Sequence, residues 1–171
     1  MKKQTALVVQ DIEISIASIQ NEDYISLTDM TKKFGDTTLI KTWLRTRSTI
    51  EFLGVWEQLH NQNFNWVEFD LIKNASGSNS FALSVGQWVK KTNAIGLVTK
   101  TGRYGSGTFG HKDIAFEFGS WLSPEFKLYL IKEFQRLKEV EQKQLNKEWD
   151  VRRILSKVNY RIHTSAVKKN L

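Results

Sequence analysis

The stretch TKTGRYGSGTFGHKDIAFEFGSW, residues 99–121, decides how this chain is read. A short apolar run, Ile95, Leu97 and Val98, leads into four glycines within nine positions, Gly102, Gly105, Gly107 and Gly110. They are interleaved with Lys100, Arg103, Tyr104, Ser106, Thr108 and Phe109. Glycine permits the conformations of tight turns and lets backbone come close to a partner, while Arg, Lys, Ser, Thr and Tyr donate to phosphate oxygens. These residue types predict an exposed basic hairpin that contacts a polyanion. Ile114, Ala115, Phe118, Trp121 and Leu122 follow at helical spacing, with Asp113 in the first turn, where a carboxylate suits the helix dipole. The hairpin is therefore anchored to the core, with one of Tyr104 and Phe109 expected to plug it onto the body and the other to face the partner.

The charge pattern around this stretch points the same way. The chain has 171 residues, a formal net charge of +7 and a pI of about 9.6, which suits an acidic partner such as nucleic acid or anionic lipid. No carboxylate lies between Asp70 and Asp113, where Lys73, Lys90, Lys91, Lys100, Arg103 and Lys112 all fall. A second acid-free run follows Asp150, with Arg152, Arg153, Lys157, Arg161, Lys168 and Lys169. With 40% hydrophobic residues and a single proline, the length suits one domain with a proper core and an appendage. Cysteine is absent, which excludes disulfides and thiolate metal sites. No apolar run approaches the ~20 residues of a membrane span. The N-terminal MKKQTALVVQDIEIS starts like a signal peptide, but Gln10, Asp11 and Glu13 interrupt it too early. Cytoplasmic residence without a membrane partner is expected.

Upstream, residues 6–20 alternate on Leu7, Val9, Ile12, Ile14 and Ile16 and predict one or two strands. Asn21-Glu22-Asp23 reads as a polar turn and Tyr24-Ile25-Ser26 as more of the sheet. Ser26 or Thr28 then caps a short helix over 29–34, closed by Gly35 where a C-terminal glycine is preferred. Asp36-Thr37-Thr38 caps the next helix, which places Leu39, Ile40, Trp43 and Leu44 on one side and Lys41, Thr42, Arg45 and Thr46 on the other. Two short helices joined through a glycine, the second with a basic outer face, form the pattern of a helix-turn-helix. An ordinary surface helix with solvated Lys and Arg fits the same residues.

Farther on, 49–59 predicts a third helix on Ile50, Phe52, Leu53, Trp56 and Leu59. Residues 63–70, with Trp66, Val67 and Phe69, predict a strand or short buried segment. Residues 74–80, NASGSNS, predict a loop, and Phe81-Ala82-Leu83 a short strand. Ser84 caps a helix with Val85, Trp88 and Val89 inward. Trp43, Trp56, Trp88 and Trp121 are expected in the core. Ser123-Pro124-Glu125 supplies N-cap, N1 proline and N-terminal acid, and Phe126, Tyr129, Leu130, Ile131, Phe134 and Leu137 the inner face of the helix it starts. Charge dominates 138–147, after which a last helix resumes on Val151, Ile154, Leu155, Val158, Ile162 and Ala166. The expected division is a domain over 1–138 and a C-terminal helical extension over 139–171. The stripe in 151–166 suits either a homodimer or packing back on the first domain.

Catalytic and cofactor motifs are weak. The run from Gly105 to Gly110 matches GxGxxG, but a dinucleotide site also needs a βαβ unit and an acid ~20 residues on, where the Pro124 helix lies. His111 with Asp113 and Glu117 suggests a metal or acid–base site, yet His60 and His163 show no ligand spacing to it, and a helix N-terminus accounts for all three. Asp70 and Asp113 bracket an acid-free region, which leaves no carboxylate cluster for magnesium. No cofactor, metal, small-molecule substrate or catalytic residue is expected.

Several ordered motifs also resemble a known family. They are Tyr24-Ile-Ser-Leu-Thr-Asp-Met30, Thr42-Trp-Leu-Arg-Thr-Arg47 and Thr49-Ile-Glu-Phe-Leu-Gly-Val-Trp-Glu57, and above all Gly102-Arg-Tyr-Gly105, His111-Lys-Asp-Ile-Ala-Phe-Glu-Phe118 and Ser123-Pro-Glu-Phe-Lys-Leu-Tyr-Leu130. Together, over 24–137, they resemble the KilA-N domain of bacteria, phages and large DNA viruses, which is similar to the fungal APSES DNA-binding domains. The resemblance implies an α+β fold with a helix-turn-helix, a small antiparallel sheet and a β-hairpin wing, followed here by C-terminal helices. It implies that 27–34 and 38–47 are the paired helices, 99–110 the wing and 111–122 the helix behind it.

The expected function is a non-catalytic module that recognises double-stranded DNA in a bacterial or phage-derived regulator. Lys41, Thr42 and Arg45 would enter or flank the major groove. Lys100, Arg103, Tyr104, Ser106 and Thr108 would grip the phosphates of the adjacent backbone or the minor groove, with Lys112 in support, and base contacts by Arg45 or Arg103 would supply specificity. Two other classes share these features: a protein-interaction module such as an antirepressor, and an RNA or single-strand binder with Tyr104 and Phe109 as stacking platforms.

Overall fold

Positive φ at Gln10 and Asp11, and again at Gln20 and Asn21, folds the alternating N-terminal segment into two tight hairpins. Turns with both central residues in the left-handed region match the twist of the strands they join. The strands are β1 (Thr5–Val9), β2 (Ile12–Ile19) and β3 (Glu22–Ser26), so the second turn is Gln20-Asn21 and Glu22 and Asp23 already pair with β2. The computed structural model describes residues 5–102 and 106–169, and side chains over 6–102 and 106–160. β4 (Leu97–Lys100) and β5 (Gly107–His111) form the later hairpin, and β5 docks on β3 to give a five-stranded antiparallel sheet of order β1-β2-β3-β5-β4.

The register Ile16, Ile25, Gly110, Leu97 runs across four strands on one face. A Cβ on Gly110 would lie 3.3 Å from both Ile114 and Leu97, so this glycine lets the helices close on the sheet. The pleat sends Ala17, Tyr24 and Phe109 to the other face, where they make a smaller cluster.

Ser26 Oγ accepts from Asp29 N at 3.0 Å and caps α1 (Leu27–Thr31). A 3-10 turn, Lys32–Phe34, ends at Gly35 with φ 64°, as expected of that glycine. α2 (Leu39–Leu44) and α3 (Arg47–His60) follow. Ile40, Trp43, Leu44, Ile50 and Leu53 are buried, with Ile114 and Phe118 of α6 (Lys112–Leu122); Trp43 meets Phe118 at 5.0 Å between ring centroids. Trp56 and Trp88 are buried as well. Trp121 departs from its core expectation: it is 38% exposed and stacks on Phe118.

Three segments differ from the sequence reading. Residues 63–70 do not form a strand. Asn65 Oδ1 accepts from Glu68 N and starts α4 (Trp66–Ala75), whose inner row is Phe69 and Ile72, while Val67 and Leu71 stay exposed. The apolar residues follow a spacing of three, and the cap makes them helical. Among the described residues Phe81-Ala82-Leu83 pairs with no strand, and it leads through Ser84 into α5 (Val85–Thr92). Finally, α7 (Pro124–Lys169) does not break at 138–147. No glycine or proline follows Pro124, and i,i+3 and i,i+4 contacts such as Lys138–Glu141 and Gln142–Asn146 support the polar turns. In its first turns Phe126 and Leu130 are buried, but Tyr129, expected inward, is half exposed. The chain forms two compact units, Met1–Glu133 and Phe134–Leu171. Among the described residues no helix is long and apolar enough to cross a membrane.

Candidate nucleic-acid interface

Lys41 and Thr42 on α2, and Arg45 at its C-cap, are exposed because Ile40, Trp43 and Leu44 take the buried side. With Thr38 they line one wall of an open groove of about 490 Å³, and Ala82, Leu83, Ser84 and Gln87 line the other. Arg45 is fixed rather than splayed: its Nη2 donates to the Asn79 carbonyl at 3.0 Å, and its own carbonyl accepts from Gly77 N at 3.0 Å. Gly77 sits at φ 83°, in the left-handed region that favours glycine. The loop expected over 74–80 starts only at 76, since 74–75 end α4, and its Gly77 and Asn79 hold the arginine. Thr42 Oγ1 donates to the Thr38 carbonyl. Asp36 accepts from the Thr38 hydroxyl and N–H at 2.7 Å each, and these bonds hold its carboxyl below the ordinary range.

The hairpin carries the second set. Phe109 is the plug, buried at 3%, and Lys100 Nζ lies 4.7 Å from its ring centroid. Thr108 N donates to Thr28 Oγ1 at 2.9 Å, which ties the hairpin base to α1. Ser106 is exposed. Arg103 and Tyr104 lie outside the described residues. The entry into β4 is held by Glu57, a buried carboxylate on α3 that accepts from Ile95 N, Gly96 N and Asn61 Nδ2. Nothing in the sequence pairs Glu57 with residues 38 positions away, so its role becomes visible only in the fold.

Lys112 falls elsewhere. It lines a separate cleft with Glu22, Tyr24, Trp56, His60, His111 and Asp113, and its Nζ is 3.5 Å from Glu22. A hydrogen bond from His111 and the Lys112 charge hold the Glu22 carboxyl below its ordinary value. His111 caps α6: its Nδ1 accepts from Asp113 N, and its Nε2 faces Glu22 at 3.3 Å. Among the described residues no group of three or more His, Cys, Asp or Glu could hold a metal ion. Lys41, Arg45 and Lys100 have no carboxylate partner among the described residues, so their charges remain available.

The family model of the KilA-N domain matches residues 7–140, which takes in the whole sheet from Leu7, the α2 groove and the β4–β5 hairpin. The chain belongs to the KilA-N domain family. KilA-N domains are generally DNA-binding modules and are not known as catalysts. No curated protein and no solved structure matches this KilA-N chain.

Proposed function

We propose that this KilA-N protein binds double-stranded DNA, with α2 as the recognition element of a helix-turn-helix and the β4–β5 hairpin as its wing, and that it does no chemistry on the DNA. One observation carries this reading: Arg45, with no carboxylate partner among the described residues, is held by a backbone carbonyl at a groove whose described lining contains no carboxylate. A fixed guanidinium can read guanine bidentately. Lys41 and Thr42 flank it. On the wing, Lys100, Arg103, Tyr104, Ser106 and Thr108 hold phosphates, and Lys112 contributes long-range charge from its own cleft.

Residues 1–138 form the DNA-binding part and 139–171 an extension that joins two copies through 151–166, pairing two heads over a palindromic site in a bacterial or phage-derived regulator. The exposure of Val151, Ile154, Leu155 and Val158 supports that pairing. Fluorescence anisotropy with random duplex, single-stranded DNA and RNA, each at low and moderate salt, tests the reading. Duplex-preferring binding that falls steeply with salt is expected. Stronger binding to single strands, or binding to none of the three by a folded protein, would overturn it.

A further inference from the structure

The groove beside α2 has a second wall that the assigned contacts do not use. Ser84 and Gln87 form a reciprocal cap: Ser84 Oγ accepts from Gln87 N at 3.2 Å, and Gln87 Oε1 accepts from Ser84 N at 3.0 Å. That arrangement turns the oxygen of the Gln87 amide to the cap, where it accepts from Ser84 N. The exposed side chain therefore presents its Nε2 donor, and Ser84 keeps its hydroxyl hydrogen to donate. Opposite them stand Lys41 and Arg45, and no acid is among the described residues that line the groove. Whatever occupies the groove meets donors from both sides.

Resting on the DNA-binding reading above, we propose that Gln87, supported by Ser84, is a further DNA contact whose Nε2 donates to a backbone phosphate of the strand that Lys41 and Arg45 engage. A phosphate oxygen accepts several donors at once, so it suits a groove with cations on one wall and neutral donors on the other. A base edge would need Gln87 to offer a donor and an acceptor together, as it does for adenine. The cap turns that oxygen to Ser84 N, away from the end that carries Nε2, so the amide does not present its donor and acceptor together and the contact is to the backbone and independent of sequence.

Gln87→Glu isolates this contact. Glutamate preserves the reciprocal cap, so the fold is kept while the donor becomes a negatively charged acceptor. Gln58→Glu, at an exposed residue outside the groove, controls for the change in net charge. Anisotropy titrations of wild type, Gln87→Glu, Gln58→Glu and Arg45→Ala use two duplexes of unrelated sequence, with circular dichroism melts beside them. The expected result is a loss of roughly tenfold or more for Gln87→Glu on both duplexes, little change for Gln58→Glu, and unchanged melting. If Arg45→Ala weakens binding while Gln87→Glu binds as wild type, the second wall is idle and only this inference falls. A Gln87→Glu loss confined to one duplex would overturn the phosphate assignment. A wild type that binds neither duplex would remove the DNA-binding reading itself.

Discussion

At Asp29 burial and bonding pull in opposite directions. Burial alone would raise its carboxyl, but the Lys32 ammonium at 2.6 Å and the Ser15 N–H at 3.0 Å outweigh it and hold it below the ordinary aspartate value. A carboxyl lowered on folding stabilises the fold above its unfolded pKa of ~3.9, and that contribution is lost as pH falls through the folded value. Asp29→Asn should cost about 1–2 kcal/mol at pH 7, and the gap to wild type should narrow towards pH 3. Denaturant titrations at the two pH values check this; a gap that stays constant would remove the ionic account. Gly54 poses a second contest. Alanine is the better helix former by ~1 kcal/mol, yet a Cβ there would lie 2.4 Å from Cζ of the buried Phe69 ring. Overpacking of this kind costs about 1–3 kcal/mol, so Gly54→Ala should lower stability in a thermal melt despite its propensity. A raised midpoint would show that α4 yields easily. Ser26 and Gly35 were legible in sequence because a cap acts within a few residues. Gly54 was not, since the ring that demands it lies on another helix.

At the scale of elements, helix and hairpin should differ in how they fail. Lys100 on the hairpin acts by charge, so Lys100→Ala should weaken binding on every duplex and lower the slope of log affinity against log salt by about one. Arg45 at the C-cap of α2 is proposed to read a base, so Arg45→Ala should cost about 1–3 kcal/mol on the selected site and flatten discrimination at one position. Site selection before and after the substitution measures this, and undiminished discrimination would move Arg45 to the phosphate contacts. The hairpin could be seen from its glycines and the basic face of α2 from its period, because each signal is local. The loop carbonyl that aims Arg45, the Glu57 clamp on β4 and the opposing wall at Ser84 and Gln87 could not. Each joins segments more than 30 residues apart, and no single one carries a distinctive pattern. The strand or short buried segment expected over 63–70 was drawn from Trp66, Val67 and Phe69, whereas the local signal that decides the segment is Asn65, the cap of α4.

The whole molecule sets one further test, since α7 runs for 46 residues and Val151, Ile154, Leu155 and Val158 along it are exposed. Val151, Leu155 and Val158 recur at spacings of four and three and are each about half exposed or more. A helix hydrophobic along one stripe draws its stability from covering that stripe. The proposed cover is a second copy, since a symmetric pair buries the same residues on both partners. Light scattering should then give twice the chain mass of 19.8 kDa, and Leu155→Asp should return the single-chain value without changing the melt of the DNA-binding part. Two linked heads gain effective concentration, so the same variant should lose about a hundredfold in affinity for a duplex with two half-sites and little for one with a single half-site. Equal losses on the two duplexes would mean that Leu155 acts on the head and not on pairing, and a wild-type mass of 19.8 kDa would leave each head to bind DNA alone.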